Sequence, residues 1–196
     1  MRHGLEIACG GGTLTVAELV ALGELAERAG WDGVFLEDYL VHHAGDDPPT
    51  WDPWLVLAAV AGRTGRVRLG TTVTALPRRR PAKLAREVLT LDHLSGGRAG
   101  VAVGVGDPAD RGLAAFGEPT DLKTRAAMLD EGLDLLVGLL GGEPVTHHGV
   151  TTGPRAWRCV PRLCSRPGCR SGWAAAPRRR RCCGAPPGRT GSCPTS

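Results

Sequence analysis

The chain has 196 residues, 42% of them hydrophobic, and a formal net charge of +4, enough length for one domain with its own core. That charge describes neither part of the molecule. Residues 1–150 carry 14 Lys and Arg against all 20 Asp and Glu, a net −6, whereas 151–196 carry 10 Arg and no acid. An acidic body without a basic face argues against nucleic acid as a partner, no apolar run approaches the ~20 residues of a membrane span, and the start lacks a signal-type apolar core, which points to the cytoplasm.

In chain order, Leu5 to Cys9 reads as a short apolar strand opening into Gly10, Gly11 and Gly12. Thr15 and Glu18 form a capping box, each side chain able to satisfy a backbone N–H of the first helical turn. Val16, Leu19, Val20, Gly23 and Ala26 then recur at helical spacing up to Ala29, and Gly30 ends the helix. Gly33 to Leu36 is a continuous apolar run of strand length that delivers Glu37, Asp38 and Tyr39 at its C-terminal end. Asp52-Pro53 starts a helix that turns Trp54, Leu57, Ala58 and Ala61 inward and breaks at Gly62.

Arg66 to Pro81 is the best-defined stretch: a strand over Val67 to Thr74 ending in small hydroxyl residues, then a basic loop, Arg78 to Arg80, and a proline-started helix. That helix places Leu84, Val88, Leu91 and Leu94 on one face and stops at Gly96-Gly97. A fourth strand, Ala99 to Val105, runs into Gly-Asp-Pro, and after a loop Asp121 caps a long helix with a stripe of Leu122, Ala126, Leu129, Leu133, Leu136 and Leu140.

Strand and helix alternate four times, which predicts a parallel sheet with helical crossovers. A doubly wound sheet and a (β/α) barrel both fit this alternation. In either, ligands bind at the C-terminal strand ends, here Cys9 to Gly11, Glu37 to Tyr39, Thr72 to Thr74, and Gly104 to Asp107.

The chemical candidates at these ends are weighed by spacing. Gly104-x-Gly106-x-x-Ala109 matches the dinucleotide fingerprint only formally, since Pro108 interrupts it and no helix opens at once; a glycine-bordered strand end admitting close approach is the better reading. Glu37 and Asp38 are neighbours in an extended segment and point to opposite faces, so at most one faces a site. His42-His43 and His147-His148 are adjacent pairs rather than the i, i+4 arrangement that shares a metal, and read as exposed loop residues. Arg78, Arg79 and Arg80 read either as a phosphate holder or as a solvated charge run.

LAERAGWDGVFLEDYL, GRVRLGTTVTALPRRRPAKLAREVLTLDHLSGGRAGVAVGVG and RAAMLDEGLDLLVGLLGGEPV together resemble the bacterial luciferase-like monooxygenase family. The resemblance implies an α/β fold of the (β/α)8 TIM-barrel type, of which residues 1–150 supply about four βα units, a truncated barrel. It implies a flavin-dependent monooxygenase acting on paired donors with O2, or hydride transfer with a deazaflavin, on a small organic substrate; FMN and deazaflavin both stay open, as does a homo-oligomer. It places a bulge at Thr72, Val73 and Thr74, often with a non-prolyl cis peptide, as support for the cofactor ring. Asp38 is implied as a polar contact, Gly104 and Gly106 as positions of close approach, and no metal is implied. Tyr39 stands where the family commonly has histidine, and its phenol, with a pKa near ~10, is a poor general base at neutral pH. The alternative is a non-catalytic half-barrel that binds nothing or associates with a second copy.

Residues 151–196 form a second unit of different character. Thirteen of these 46 residues are Gly or Pro, no hydrophobic period is present, and six of the seven cysteines lie here without a zinc-ligand spacing or a histidine. Arg, Pro, Gly, Ala, Cys and Trp share GC-rich codons, so the tail reads as a disordered, out-of-frame translation with its break between Gly149 and Cys159. Codons written for Ser171 to Ala175 give VWVGG in the shifted register, like the family's fifth strand.

Overall fold

The computed structural model describes residues 1–12, 14–41, 48–142, 145–149 and 153–157. Strands β1 (Gly4–Ile7), β2 (Gly33–Asp38), β3 (Arg68–Ala75) and β4 (Ala99–Gly104) form one sheet in the order β1-β2-β3-β4. All three pairings are parallel. The crossovers are helices α1 (Val16–Arg28), α2 (Pro53–Ala61) and α3 (Pro81–Ser95); α4 (Arg111–Ala115) and α5 (Leu122–Gly141) follow β4. The four predicted βα units are therefore present in the predicted order.

Local chemistry sets the helix ends. Thr15 and Glu18 close the capping box on α1, and Asp52 accepts from the N–H groups of Trp54 and Leu55 at 2.9 and 3.0 Å with Pro53 in the first turn of α2. Asp121 accepts from Thr124 N–H at 2.7 Å to start α5. Gly96 ends α3 at φ 66° and Gly142 ends α5 at φ 73°, a conformation that costs glycine no Cβ clash.

Because side chains alternate along a strand, one face of the sheet carries Val34, Leu36 and Leu69, all buried, against Leu57, Val60, Leu84 and Val88 of the helical layer. Gly23 lies where an added Cβ would sit 2.6 Å from Val60 Cγ1, so α1 and α2 approach closely there. The opposite face carries Glu6, Phe35, Gly70 and Gly100 at one level of the register. The Phe35 ring covers Gly4 and Gly33, where an added Cβ would lie 2.8 and 2.6 Å from it.

Two bonding clusters clamp the N-terminal side of the sheet. Glu27 in the last turn of α1 accepts from the backbone N–H groups of Gly65, Arg66 and Val67, at 2.6 to 3.0 Å for the best oxygen of each. Arg98, at the turn into β4, donates to the carbonyls of Ala61, Thr64, Val67 and Ser95, which satisfies the C-terminal end of α2.

Three expectations are corrected. Leu94 is 60% exposed: in α3 the buried set is Leu84, Ala85, Val88, Leu89, Leu91, Asp92 and Ser95, and a step from 91 leads to 95 rather than 94. In α5 the buried stripe includes Arg125, Gly132, Leu135 and Leu139 alongside Leu136 and Leu140, while Leu122 is exposed. His147 and His148 lie in a strand, not a loop: β5 (Val145–Gly149) pairs antiparallel with β6 (Gly153–Trp157). The boundary drawn at residue 150 thus falls between two strands that pair with each other, and β6 lies inside the stretch where the change of reading frame was placed. His42 and His43, and the tail from 158 onward, lie outside the described residues.

Candidate functional site at the C-terminal end of the sheet

The C-terminal ends of β2 and β3 and the segment after β4 converge on one half-open pocket of about 150 Å³, which the end of β1, Cys9 to Gly11, does not line. Glu37, Asp38 and Tyr39 line it from the end of β2, Thr72, Val73 and Ala75 from β3, and Gly106, Asp107 and Asp110 from the segment after β4.

The β3 wall is irregular because β3 contains one extra residue against both neighbours. Leu36 pairs with Thr71 and Asp38 with Thr74, while Thr71 pairs with Val101 and Thr74 with Val103. The bulge this creates at Thr72 and Val73 turns Val73 outward, 46% exposed, and the peptide between the two is cis. The non-prolyl cis bond thus lies within the three residues expected to carry it.

Behind the bulge lies a buried polar network. Thr74 Oγ1 is 2.9 Å from Thr71 Oγ1 and donates to Asp38 Oδ2 at 2.7 Å. Asp38 Oδ1 accepts from Arg78 Nη2 at 2.9 Å and Arg79 Nη2 at 2.7 Å, and Arg78 also donates to the Asp38 carbonyl. The side chains of Asp38 and Arg78 are 1% and 3% exposed. Arg78 and Arg79 are therefore neither a solvated run nor a free phosphate holder: the 3-10 turn Leu76–Arg78 folds them back to neutralise a buried carboxylate. Arg80, the third of the run, is exposed.

Of the six residues singled out from sequence, Asp38, Thr72, Val73 and Gly106 line the pocket, whereas Thr74 and Gly104 do not. Thr74 is fully buried in the network, and Gly104 packs against Val73, where an added Cβ would lie 3.4 Å from Val73 Cγ2. Gly106 has φ 81°, and a Cβ there would lie 2.5 Å from Arg125 Nη2. Arg125, 1% exposed, reaches up from the first turn of α5 and donates to the Val105 carbonyl, fixing the strand exit.

Sequence reasoning passed over Arg125 because an arginine next to apolar stripe positions looks like a solvated neighbour. It also passed over Glu6, whose carboxylate accepts from Thr72 Oγ1 at 2.7 Å across the sheet; the only signal was one acid inside an apolar strand. Asp110 was read as loop, but it accepts from Gly112 N–H at 2.8 Å and starts α4.

On the opposite flank, Tyr39 packs against Gly10, where an added Cβ would meet its ring at 2.9 Å. Cys9 and Gly10 are held by Trp51 N–H donating to the Cys9 carbonyl at 2.8 Å and by a bridge from Gly10 to Thr50. Burial pushes the Tyr39 phenol up to about 12, helped by the Glu37 carboxylate, so it stays neutral across the physiological range. Burial likewise raises the Cys9 thiol to about 12, reinforced by Asp52, Asp38 and Glu37, which leaves it an inert core sulfur. Among the described residues, no group of three His, Cys, Asp or Glu could hold a metal, and no helix is long and apolar enough to cross a membrane.

A flat ring fits the chemistry of this wall. Val73 offers an exposed apolar contact, and Gly106 leaves the facing edge without a side chain. A phosphate does not find its partner here, because Arg78 and Arg79 are spent on Asp38.

Parallel strands in the unreversed order β1-β2-β3-β4, with a pocket at their C-terminal ends, match a (β/α)-barrel scaffold rather than a doubly wound sheet. Comparison with known proteins makes this specific. The family model for luciferase-like monooxygenases matches residues 3–176, and the chain belongs to that family. It is 37% identical over 127 residues to the 4-hydroxyprotoasukamycin monooxygenase of Streptomyces nodosus subsp. asukaensis, covering 64% of this chain and 32% of that protein. It is 40% identical over 136 residues to the F420-dependent glucose-6-phosphate dehydrogenase of Beutenbergia cavernae, covering 67% of this chain and 39% of that protein. The crystal structure of monooxygenase RslO1 from Streptomyces bottropensis superposes with a TM-score of 0.72 at 29% identity, over 85% of this chain and 51% of that one. The chain thus spans about two-fifths or less of the length of these curated relatives and about half of the solved structure.

Proposed function

We propose that the chain is the N-terminal half of a flavin- or deazaflavin-dependent oxidoreductase site. The observation that carries this reading is the β3 bulge, which presents Val73 and the Thr72–Val73 peptide to a pocket at the strand ends. Similarity to both a monooxygenase and a deazaflavin-dependent dehydrogenase supports the class and leaves FMN and deazaflavin as alternatives. Bound there, the cofactor supplies the electron transfer itself, O2 activation with FMN or hydride transfer with a deazaflavin, to a small organic substrate.

The residues of this chain hold and orient. Val73 and the Thr72 backbone support the ring. Gly106 keeps its edge free of side chains, and Gly104 backs Val73. Thr74 and Asp38 act from behind, keeping the bulge in place. Tyr39 offers a neutral hydroxyl rather than a base. Titration of the purified chain with FMN and with a deazaflavin, followed by fluorescence, tests the reading: micromolar binding of one of them is expected, and no binding of either at high micromolar concentration overturns it.

A second reading is favoured by the open edges of β1 and β4, neither of which has another strand beside it among the described residues. A non-catalytic half-barrel that pairs with a second copy would cover them. Sedimentation separates the two: a dimer that binds no cofactor supports this alternative. In both readings the chain works in the cytoplasm without nucleic acid or membrane, and the tail, 151–196, is read out of frame from a break between Gly149 and Cys159. The nucleotide sequence checks the last point: a shifted frame lacking Gly-Gly after a VWV-like strand rules it out.

A further inference from the structure

Glu6 lies mid-strand in β1, on the face turned away from the helices, level with Phe35, Gly70 and Gly100. Position 70 carries no side chain and tolerates none, since a Cβ there would lie 2.3 Å from the Gly100 carbonyl oxygen. That vacancy lets the Glu6 carboxylate reach past β2 to the next residue on the same face of β3, Thr72, whose Oγ1 donates to Oε1 at 2.7 Å. Thr72 needs a tether: the ladder registers Thr71 and Thr74 with both neighbouring strands and skips Thr72 and Val73. Thr71 and Thr74 are tied from behind by each other and by Asp38. On the front, the bond to Glu6 is the side-chain attachment of the bulge.

We propose that Glu6 is a positioning residue that sets the pocket wall by holding the Thr72 hydroxyl; the proposal rests on the ring-binding reading above. Glu6 acts through its acceptor oxygen, not through its charge. A neutral carbonyl oxygen at the same place can accept from the Thr72 hydroxyl as the carboxylate does, and loss of the bond lets an unladdered bulge relax.

The test compares Glu6→Ala, Glu6→Gln, Thr72→Val and the Glu6→Ala/Thr72→Val double variant with the parent chain, titrated with FMN and a deazaflavin. Glu6 is exposed, so the two Glu6 single variants should melt as the parent does. Glu6→Ala and Thr72→Val each weaken binding about tenfold, the double variant binds no more weakly than either single one, and Glu6→Gln, which keeps a carbonyl acceptor, recovers affinity to within about twofold. Unchanged affinity in Glu6→Ala, additive losses in the double variant, or a Glu6→Gln variant as weak as Glu6→Ala each overturn the proposal. Should the parent bind neither cofactor, the ring-binding reading fails, and the tether is decided by amide hydrogen exchange of the ligand-free proteins. Exchange over residues 71–75 about tenfold faster in Glu6→Ala and Thr72→Val, but not in Glu6→Gln, supports it; equal exchange in all overturns it.

Discussion

Thr74 donates its hydroxyl to Asp38 at 2.7 Å, joining the end of β2 to the bulge of β3 beneath the pocket. The carboxylate is the hub of this contact, since it also neutralises Arg78 and Arg79. Removing it leaves a buried guanidinium without a counter-charge. Asp38→Ala should therefore cost about 3–5 kcal/mol in urea unfolding, whereas Thr74→Val, which removes one neutral donor, should cost about 1–2 kcal/mol.

Tyr39 is the one tyrosine of the chain, so its ionisation is directly visible by ultraviolet absorbance. Its midpoint should fall near 12 instead of 10. A raised phenol pKa means that the fold favours the protonated form. The corresponding stabilisation is fully present below pH 10 and fades as pH rises from 10 through about 12. A midpoint near 10 in the folded protein would show that the Tyr39 ring is not buried beside Glu37.

Two glycines define space that nothing else can occupy. Gly70→Ala drives a methyl into the Gly100 carbonyl, a backbone atom of the adjacent strand, and should cost about 3 kcal/mol or more, seen as lost soluble yield or a collapsed melting temperature. Gly106→Ala meets both a left-handed φ and Arg125, and should cost about 1–3 kcal/mol while shifting the strand exit that lines the pocket.

Burial pushes the Glu27 carboxyl up, but the N–H groups of Gly65, Val67 and Arg66, with the Arg98 charge, outweigh it and hold its pKa below the usual value. A lowered carboxyl pKa contributes stability above about 4.5 that is lost as pH falls through the folded value. Glu27→Gln should flatten the acid limb of a plot of melting temperature against pH, and an unchanged slope below pH 4.5 would count against the clamp.

The strands, crossovers and helix caps were legible because each is written locally: Thr15 with Glu18, Asp52 with Pro53, and Asp121 all act within four residues of themselves. The pocket's position followed from the parallel order, and its β3 wall from the family resemblance. The fates of Asp38, Arg78 and Arg79 were not legible, because partners about 40 residues apart decide whether a charge is solvated, catalytic or paired. Arg125 and Glu6 escaped for the same reason: each has its partner 20 and 66 residues away. The β5–β6 hairpin escaped because one of its strands has the composition of the tail.

The Phe35 ring lying over Gly4 and Gly33 has a further consequence. One large side chain occupies the volume that three moderate ones would otherwise share, so these positions can change only in concert. A larger residue at 4 or 33 demands a smaller one at 35, and Gly33→Ala combined with Phe35→Leu should be better tolerated than Gly33→Ala alone. Three residues from two strands thus behave as a single heritable unit beneath the floor on which Glu6 stands.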